Sequence, residues 1–335
     1  MYRGMSVAVV VPSYNEETQI SKVLLTMPDY VDRIVVVDDR SRDRTAAIVE
    51  EHAAGDERVV LLRHETNQGV GAAIATGYKW CRDNGVNCAA VMAGDGQMAP
   101  EDLPALLDPV VEDLCDYSKG NRLFTGHAWK KIPKIRYLGN AGLSLMTKVS
   151  SGYWCISDSQ SGYTVINEDA LATIDWDAMY KRYGQPNDLL VRLNIENFRV
   201  RDVPIEPVYN VGEVSRLKIR KVMFTIPWLL FKMFWRRMGE KYVIRDFHPL
   251  VLCYAFAFLL LLIDIPVTAR LLWYALTSGV LLSTNLLVAM FLTINAFITG
   301  LAAMYMDMQY NQHLSSTALV KRRHPPRPAA PPLKG

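Results

Sequence analysis

The sequence has few cysteines, and none of them form a paired motif. They are Cys81, Cys88, Cys115, Cys155 and Cys253. Five is an odd number, the positions are scattered, and there is no Cys-x-x-Cys pair. This pattern excludes a secreted disulfide scaffold and argues against a zinc site. Reduced thiols in a cytosolic domain are the simplest interpretation.

Charged side chains are nearly absent from one long stretch, and acidic ones are scarce after residue 212. Between Phe247 and Met306 only Asp264 and Arg270 are charged. Residues 213–335 carry 15 Lys and Arg against 5 Asp and Glu, a net charge of +10, whereas residues 1–212 carry 22 and 29, a net charge of −7. This composition excludes a wholly soluble chain and a disordered one.

The stretch poor in charge predicts two membrane spans. They run from Leu250 to about Trp273 and from Leu281 to about Met304, each near the roughly 20 residues that a helix needs to cross hydrocarbon. Asp264 interrupts the first span; we interpret it as reaching the far interface or pairing with Arg270, with an intramembrane site as the alternative. Two crossings with basic flanks predict an integral membrane protein with both termini in the cytoplasm.

Basic segments lie on both sides of these spans. Residues 213–247 interleave Lys and Arg with Trp and Phe, which predicts helices lying in the bilayer interface and contacting membrane lipids. An ordinary amphipathic helix packed on the domain is the alternative. The tail, 309–335, is basic and Pro-rich, with a disordered end expected from His324 onward. No nucleic-acid partner is expected, because the basic side chains adjoin a membrane span and no RNA- or DNA-binding motif accompanies them.

The first 120 residues alternate strand and helix signals. No signal sequence is expected before the first strand, because only Met1 to Met5 precede it. The pattern predicts an α/β fold, Rossmann-like, with a mostly parallel sheet. The predicted strands are Val7–Val11, Arg33–Val37, Val59–Arg63 and Cys88–Ala93, and the helices are Glu16–Met27 capped by Asn15, Thr45–Ala53, Gly69–Asp83 and Pro100–Leu114. Farther on, strands are expected at 163–166 and 200–209 and a helix at about 186–197.

Four polar clusters follow predicted strands. They are Pro12–Glu16, Asp38–Thr45, Asn67–Ala73 and Ala93–Gln97. Open α/β sheets bind ligands at the carboxyl ends of their strands. Each cluster alone could be a turn or a helix cap, but four in succession predict one binding site.

The four clusters together resemble a known family. Val-Pro-Ser-Tyr-Asn-Glu (11–16), Val-Val-Asp-Asp-x-Ser-x-Asp-x-Thr (36–45), Asn-x-Gly-x-Gly-x-Ala (67–73) and Asp-Gly-Gln-x-x-Pro-Glu-Asp-Leu (95–103) resemble family 2 inverting glycosyltransferases of GT-A fold. With two spans after interfacial helices, the chain is most similar to polyprenyl-phosphate glycosyltransferases related to dolichol-phosphate mannose synthase. The similarity covers roughly residues 5–310.

The resemblance implies a nucleotide-sugar donor, UDP- or GDP-linked, and a divalent metal ion. The residues implied to hold the donor are Pro12, Tyr14, Glu16, Asp39, Gly94, Asp95, Ser215 and Lys218. Asp95 and Gln97 match the metal-binding end of the family's Asp-x-Asp-x-Gln stretch, and their oxygens suit Mg²⁺ or Mn²⁺. The sequence departs from the family at Ala93, where the first Asp would stand, which leaves one carboxylate fewer to hold the ion.

The resemblance also implies polyprenyl phosphate as the acceptor. Its oxygen is largely anionic near neutral pH, because phosphate monoesters have a second pKa of about 6. Arg122 and Arg136 occupy places that resemble the family's acceptor-phosphate arginines, although a surface helix charge is the alternative for Arg136. Asp158 would lie near the reacting centre, with a turn-forming Asp as its alternative, so Asp95, Arg122 and Asp158 are the predicted catalytic residues. Asp188 is a weaker candidate for sugar recognition or helix capping.

Taken together, the expected organisation is a GT-A domain (1–212), juxtamembrane helices (213–247), two transmembrane helices (248–308) and a tail (309–335). The expected reaction is metal-dependent, inverting transfer of a hexose-type sugar to polyprenyl phosphate at the cytoplasmic face. A processive polysaccharide synthase is one alternative, but such enzymes usually carry a Gln-x-x-Arg-Trp motif and more spans. A non-catalytic lipid- or nucleotide-binding relative, suggested by Ala93, is another. The oligomeric state is left open by the sequence, with a homo-oligomer as one alternative.

Overall fold

The structure, a computed structural model, describes residues 1–122, 134–206, 219–279 and 281–315, without the side chains of 134–141 and 219–224. The chain divides into two compact units. The first unit is Met1–Phe234 with the segment from His313 onward, and the second is Trp235–Gln312.

The described part of the first unit alternates strands and helices. Its strands are β1 Val7–Ser13, β2 Arg33–Asp38, β3 Val59–Arg63, β4 Cys88–Val91, β5 Tyr117–Asn121, β6 Thr164–Asn167 and β7 Val200–Pro204. The helices between them are α1 Ile20–Leu25, α2 Thr45–Ala53, α3 Val70–Asp83, α4 Leu103–Val111, α5 Lys134–Ser151, α6 Glu168–Thr173 and α7 Gln185–Ile195. Helix α8, Ile219–Gly239, begins in this unit and ends in the second.

The strands form one mostly parallel sheet, as predicted. Their order is β3-β2-β1-β4-β6-β5-β7. Strand β6 alone is antiparallel to its neighbours β4 and β5 among the described strands, and β5 pairs with β7 in parallel. Because β6 reverses direction, the residues just before it lie at the same edge of the sheet as the carboxyl ends of the parallel strands.

The apolar run in β1 explains the layered packing. Val7, Val9 and Val11 face one hydrophobic core and Ala8 and Val10 face another, all with no exposed surface. Side chains alternate between the faces of a strand, so both faces of this sheet are covered, and a continuous apolar run results. The first unit is therefore a sheet between two helical layers.

Three predicted elements are wrong in extent. The helix expected at Glu16–Met27 covers only Ile20–Leu25, because the residues before it are tied to the loop after β2. Asn15 is not a helix cap: its φ is +54° and its Oδ1 accepts a hydrogen bond from the Arg42 N–H at 2.7 Å. The helix expected at Pro100–Leu114 is a 3₁₀ turn followed by α4, and the strand expected from Val200 to Tyr209 ends at Pro204.

The second unit contains the two apolar helices that the sequence predicted. They are α9, Leu250–Ser278, and α10, Ser283–Tyr310, and both are long and apolar enough to cross a membrane. Each extends beyond its predicted end. Helix α9 continues up to Gly279, whose φ of +63° ends it, and α10 continues up to Asn311. A π-helical turn, Glu240–Arg245, comes between α8 and α9.

Pairing with Arg270 was one of the two arrangements that we expected for Asp264, and the structure does not show it. Its carboxylate accepts hydrogen bonds from Thr268 at 3.3 Å and from Thr293 on α10 at 2.8 Å. The Arg270 guanidinium lies 5.8 Å from the centre of the Tyr274 ring. Two neighbouring hydroxyl groups therefore supply hydrogen bonds to a carboxylate within a mostly apolar helix pair.

Candidate active site

The four polar clusters come together at one edge of the sheet. Strands β1, β2 and β4 run in parallel and end at Ser13, Asp38 and Val91, so three of the clusters lie across or just after these strand ends. Strand β5 points the same way and ends at Asn121, while the antiparallel β6 begins at Thr164. The residues of these clusters, together with Arg122 and Asp158, therefore share this edge.

Hydrogen bonds join the first two clusters. The backbone N–H of Asn15 donates to Ser41 Oγ at 2.9 Å, and that of Glu16 donates to Thr45 Oγ1 at 2.8 Å. Pro12 is buried and pairs in register with Val37, whereas Tyr14 and Glu16 are partly exposed. The loop that carries Tyr14 and Glu16 is thus held against the loop that carries Asp39.

Asp39 joins the second cluster to the third. Its buried carboxylate accepts hydrogen bonds from the backbone N–H groups of Gln68 at 2.8 Å and Gly69 at 2.7 Å. His64 Nδ1 lies 2.8 Å from the same carboxylate, and His64 Nε2 lies 3.0 Å from Thr76 Oγ1. Asp39, which we predicted to contact the nucleotide, therefore also fixes the start of α3.

The fourth cluster forms a tight turn against β1. A Cβ on Gly94 would lie 2.6 Å from Ser13 Oγ, so only glycine fits there without a shift. Gly96 has φ +73°, a left-handed conformation that favours glycine. Within the turn, Asp95 Oδ1 accepts a hydrogen bond from the Gln97 N–H at 3.1 Å. Asp95 and Gln97 are thus presented by one turn at the predicted ligand edge.

The donor set of this turn suits a hard divalent cation. One carboxylate and one amide oxygen are the kinds of ligand that Mg²⁺ and Mn²⁺ take. The described residues contain no group of three or more His, Cys, Asp or Glu that could hold a metal ion. Asp95 and Gln97 are the two residues of this turn that could contribute such oxygen ligands. At Ala93 the backbone N–H lies 3.2 Å from Met98 Sδ.

Arg122 and Asp158, both predicted catalytic residues, form a bidentate ion pair. Arg122 Nε and Nη2 donate to the two carboxylate oxygens of Asp158 at 2.8 and 3.2 Å. Burial alone would raise the pKa of Asp158, but the hydrogen bonds and charge of Arg122, with the charge of Lys119, hold that pKa below its usual value. Asp158 is buried, whereas the Arg122 side chain is about one-third exposed, so Arg122 is the member of the pair that solvent reaches.

Behind this pair lie two ionisable groups to which the sequence reasoning gave no role. Lys119 is fully buried and its Nζ donates to the Ser161 carbonyl; burial lowers its pKa to about 8, opposed by Asp158 and Asp202. Asp202, on β7, has its pKa raised by burial to about 6. Each is a charged residue within a short strand, and every residue of β5 is buried; a charge inside a predicted strand is the signal that could have drawn attention to them.

Several predicted residues lie elsewhere or beyond the described part. Arg136 falls within α5, but its side chain is outside the described residues, as are Ser215 and Lys218 entirely. Asp188 Oδ2 accepts hydrogen bonds from the Tyr180 N–H at 2.8 Å and from Arg192 Nε at 3.0 Å. Gly184 is the N-cap of α7 and the helix has no side-chain cap hydrogen bond, so this buried carboxylate is not a helix cap; it joins α7 to the segment that carries Tyr180.

The catalytic fold has known relatives among solved structures. The chain superimposes on glucosyl-3-phosphoglycerate synthase from Mycobacterium tuberculosis, solved with Mn²⁺, UDP-glucose and phosphoglyceric acid, with a TM-score of 0.51. The two are 18% identical, and the match covers 70% of this chain and 80% of that one. At this identity the likeness shows a shared GT-A fold.

Sequence relatives are closer. The chain is 30% identical over 246 residues to UDP-N-acetylglucosamine–dolichyl-phosphate N-acetylglucosaminyltransferase of Methanococcus voltae, covering 70% of this chain and 95% of that protein. It is 32% identical over 227 residues to polyprenol monophosphomannose synthase of Mycolicibacterium smegmatis, covering 65% and 84%. It is also 32% identical over 204 residues to undecaprenyl-phosphate mannosyltransferase of Micrococcus luteus, covering 60% and 83%.

The sequence model of the family described as Glycosyl transferase family 2 matches residues 8–182, more than half of the chain. That range contains all four polar clusters, the Arg122–Asp158 pair, strands β2 to β6 and all of β1 except Val7. The chain therefore belongs to glycosyl transferase family 2 and is a glycosyltransferase.

Proposed function

We propose that this enzyme transfers a hexose-type sugar from a UDP- or GDP-linked donor to polyprenyl phosphate at the cytoplasmic face of a membrane. The acceptor class follows the names of the sequence relatives, which are transferases to dolichyl, polyprenyl or undecaprenyl phosphate. The observation that carries the proposal is the cationic Arg122 at the same sheet edge as the Asp95 turn and the Tyr14–Glu16 loop.

On the donor side, the first two clusters would hold the nucleoside. Tyr14 offers a ring that can cover an aromatic base, and the carboxylates of Glu16 and Asp39 can accept hydrogens from base N–H or ribose hydroxyl groups. Gly94 lets the donor approach the turn closely. Asp95 and Gln97 would hold Mg²⁺ or Mn²⁺, which when bound neutralises charge on the departing nucleoside diphosphate. Ser215 and Lys218 would complete the diphosphate side.

On the acceptor side, the reaction needs positioning more than proton transfer. The lipid phosphate oxygen already carries negative charge, so it can attack the anomeric carbon while the bond from that carbon to the diphosphate breaks. Arg122, and Arg136 with it, would hold the phosphate by charge-assisted hydrogen bonds. Asp158 keeps the Arg122 guanidinium in one orientation. In-line attack inverts the anomeric centre and gives a β-linked product from an α-linked donor.

We further propose that the enzyme is anchored so that donor and acceptor meet at the bilayer surface. Helices α9 and α10 would be its two spans, and residues 213–247 and the basic tail, 309–335, would lie on the cytoplasmic side among anionic headgroups. Residues 1–212 would form the catalytic domain. Apolar side chains on α8 support an interfacial position, because Trp228 and Phe231 are exposed and Lys232 Nζ lies 5.4 Å from the centre of the Trp228 ring.

A donor-panel assay tests the proposal. Purified full-length enzyme is incubated with UDP- and GDP-sugars, with undecaprenyl or dolichyl phosphate, and with Mg²⁺ or Mn²⁺, and lipid products are separated by chromatography. We expect one glycolipid, and Asp95→Ala should lower its rate of formation by about a hundredfold or more, the usual scale for a lost contact that stabilises charge in the transition state.

Asp83→Ala is the matched control. Asp83 is an exposed carboxylate paired with Arg82 at the C-terminal end of α3, whereas the third polar cluster lies at the N-terminal end of that helix. Its rate should equal that of the wild type. If no donor gives a glycolipid, or if Asp95→Ala is as active as Asp83→Ala, the proposal is wrong. A polymeric product would favour the processive synthase instead.

A further inference from the structure

Asp202 connects the two segments that carry the ion pair. It lies on β7, in register with Lys119 on β5. Its Oδ2 accepts a hydrogen bond from Asn121 Nδ2 at 3.0 Å and another from the Ser157 N–H at 2.7 Å. Asn121 directly precedes Arg122, and Ser157 directly precedes Asp158. One carboxylate oxygen therefore holds the two residues that directly precede the members of the ion pair.

We propose that Asp202 is a positioning residue for the acceptor side of the site: by holding Asn121 and Ser157 together, it fixes the backbone that presents the Arg122–Asp158 pair to the acceptor phosphate. The inference rests on the proposed function, because it takes a lipid phosphate as the ligand of Arg122. It assigns Asp202 no contact with substrate, so any effect on catalysis is exerted through Arg122 and Asp158.

The surroundings of Asp202 do not suit a carboxylate kept only for stability. Its Oδ1 is buried and has no hydrogen-bond partner among the described residues. Burial raises the pKa of Asp202 to about 6, against 3.8 for an ordinary Asp. The charged and titratable groups that face it are Lys119 and Tyr117 on β5, Lys148 on α5, and Cys155 and Asp158 in the loop before β6.

The raised pKa of Asp202 makes the stability of the folded state depend on pH. The unfolded chain loses the proton near pH 4 and the folded chain near pH 6, so the folded state is favoured by this group at low pH and loses that advantage as pH rises to 6. At pH 8 the ionised side chain therefore lowers stability. An ionised oxygen, however, accepts stronger hydrogen bonds than a neutral one, so the charge that lowers stability strengthens the hold on Asn121 and Ser157.

The test is Asp202→Asn in the purified full-length enzyme, which keeps an accepting oxygen but removes the charge. We expect the KM for polyprenyl phosphate to rise about tenfold and the KM for the nucleotide sugar to change less than twofold. The melting temperature at pH 8 should equal or exceed that of the wild type. A residue that is merely structural would show the opposite pattern, with a lower melting temperature and no selective change in KM.

The pH profile gives a second readout. The acceptor phosphate itself ionises near pH 6, so kcat/KM for the acceptor in the wild type should fall with two ionisations below that pH, with a limiting slope near two. In Asp202→Asn only the phosphate ionisation remains, and the slope should be near one. Equal slopes for the two proteins would overturn the inference.

Asp116→Asn is the matched control. Asp116 is a buried carboxylate at the opposite end of β5, where it accepts hydrogen bonds from Arg199. Its loss should lower the melting temperature and leave both KM values and the slope unchanged. An Asp202→Asn enzyme that behaves like Asp116→Asn would show that Asp202 is only structural.

A binding measurement separates this inference from the proposed function. Calorimetric titration of wild type and Asp202→Asn with undecaprenyl phosphate alone, at pH 8, needs no sugar transfer. Affinity about tenfold weaker in the variant supports the inference even if the donor panel gives no product. Equal affinity overturns it even if the wild type forms glycolipid.

Discussion

At the scale of single residues, the site depends on side chains that hold other residues in place. Asp39 accepts hydrogen bonds from Gln68, Gly69 and His64, and Asp202 accepts them from Asn121 and Ser157. In both cases a carboxylate on or just after a strand fixes a neighbouring loop. Loops with many free conformations are thus restricted before any ligand binds, which lowers the entropy that binding must overcome.

Gly94 gives a prediction at this scale. A methyl group there would meet Ser13 Oγ at 2.6 Å, closer than real Cβ contacts, and Ile20 Cδ1 at an acceptable 3.4 Å. Gly94→Ala should therefore push the Asp95 turn away from β1. A displacement of about 1 Å at a reacting centre can cost about a hundredfold in rate, so kcat/KM should fall by tenfold to a hundredfold in the donor assay.

The matched variant adds Ser13→Ala to Gly94→Ala and removes the oxygen that would clash. The remaining Ser13 Cβ lies 3.5 Å from the new methyl group, an ordinary contact. The double variant should recover most of the lost activity. If it is as slow as Gly94→Ala alone, the clash with Ser13 is not the cause.

Residue types in clusters could be predicted from the sequence, but their partners could not. The order of the four clusters indicated a family and a ligand edge, and Arg122 and Asp158 were both chosen as candidates. That they form one ion pair was not visible, because 36 residues separate them. His64 and Asp202 were missed for the same reason: each acts on residues of another loop, and no short-range pattern records that.

At the scale of elements, one buried polar cluster joins α8, the π-helical turn and α10 within the second unit. Arg237 Nη1 and Nη2 donate to the two oxygens of Asp307 at 2.8 and 2.9 Å, and Tyr242 Oη donates to Asp307 Oδ1 at 2.6 Å. Lys241 Nζ donates to Asn311 Oδ1 at 2.8 Å. All five side chains are buried, and Asp307 is the one carboxylate among them.

Asp307→Ala should therefore destabilise the second unit strongly. The substitution leaves the buried cations Arg237 and Lys241 without that carboxylate, and removing one partner of a buried pair costs about 3–5 kcal/mol. Thermal unfolding of the full-length protein in detergent, followed by circular dichroism, should show the loss. Replacing both charged partners, Arg237→Met with Asp307→Leu, should recover part of it.

Asp246→Ala is the control for this cluster. Asp246 is exposed and accepts one hydrogen bond from Tyr310 Oη at 3.0 Å, so its loss should cost no more than about 1 kcal/mol. Similar melting temperatures for Asp246→Ala and Asp307→Ala would mean that the buried pair contributes little.

The elements themselves were predictable where one local signal dominated. Continuous apolar runs gave β1 to β3, and long stretches without charge gave α9 and α10. The prediction failed at the Glu16–Met27 helix, where the N–H groups of Asn15 and Glu16 bond to Ser41 and Thr45 of the next loop instead of continuing a helix. A distant partner there outweighed local helix propensity.

At the scale of the whole molecule, the chain leaves the first unit, forms the second, and then contributes again to the first. Leu314 is 1% exposed and belongs to the same hydrophobic core as Tyr153 and Val200. Ser315 forms a parallel bridge with Val200, the first residue of β7. The sequence predicts only a tail from residue 309 onward, because a basic, Pro-rich composition gives no sign of a single buried leucine.

Leu314→Ala should therefore destabilise the first unit, although Leu314 follows the second apolar helix in the sequence. Removing a fully buried leucine side chain costs about 2–5 kcal/mol, from lost burial and from the cavity left behind. Denaturant unfolding of the full-length protein in detergent should show this loss when followed by tryptophan fluorescence, to which Trp176, a buried residue of the same core, contributes. Leu25→Ala is the control, because Leu25 on α1 is 74% exposed and its truncation should change stability by about 0.5 kcal/mol or less. Equal losses from Leu314→Ala and Leu25→Ala would show that the segment after the second apolar helix is not part of this core.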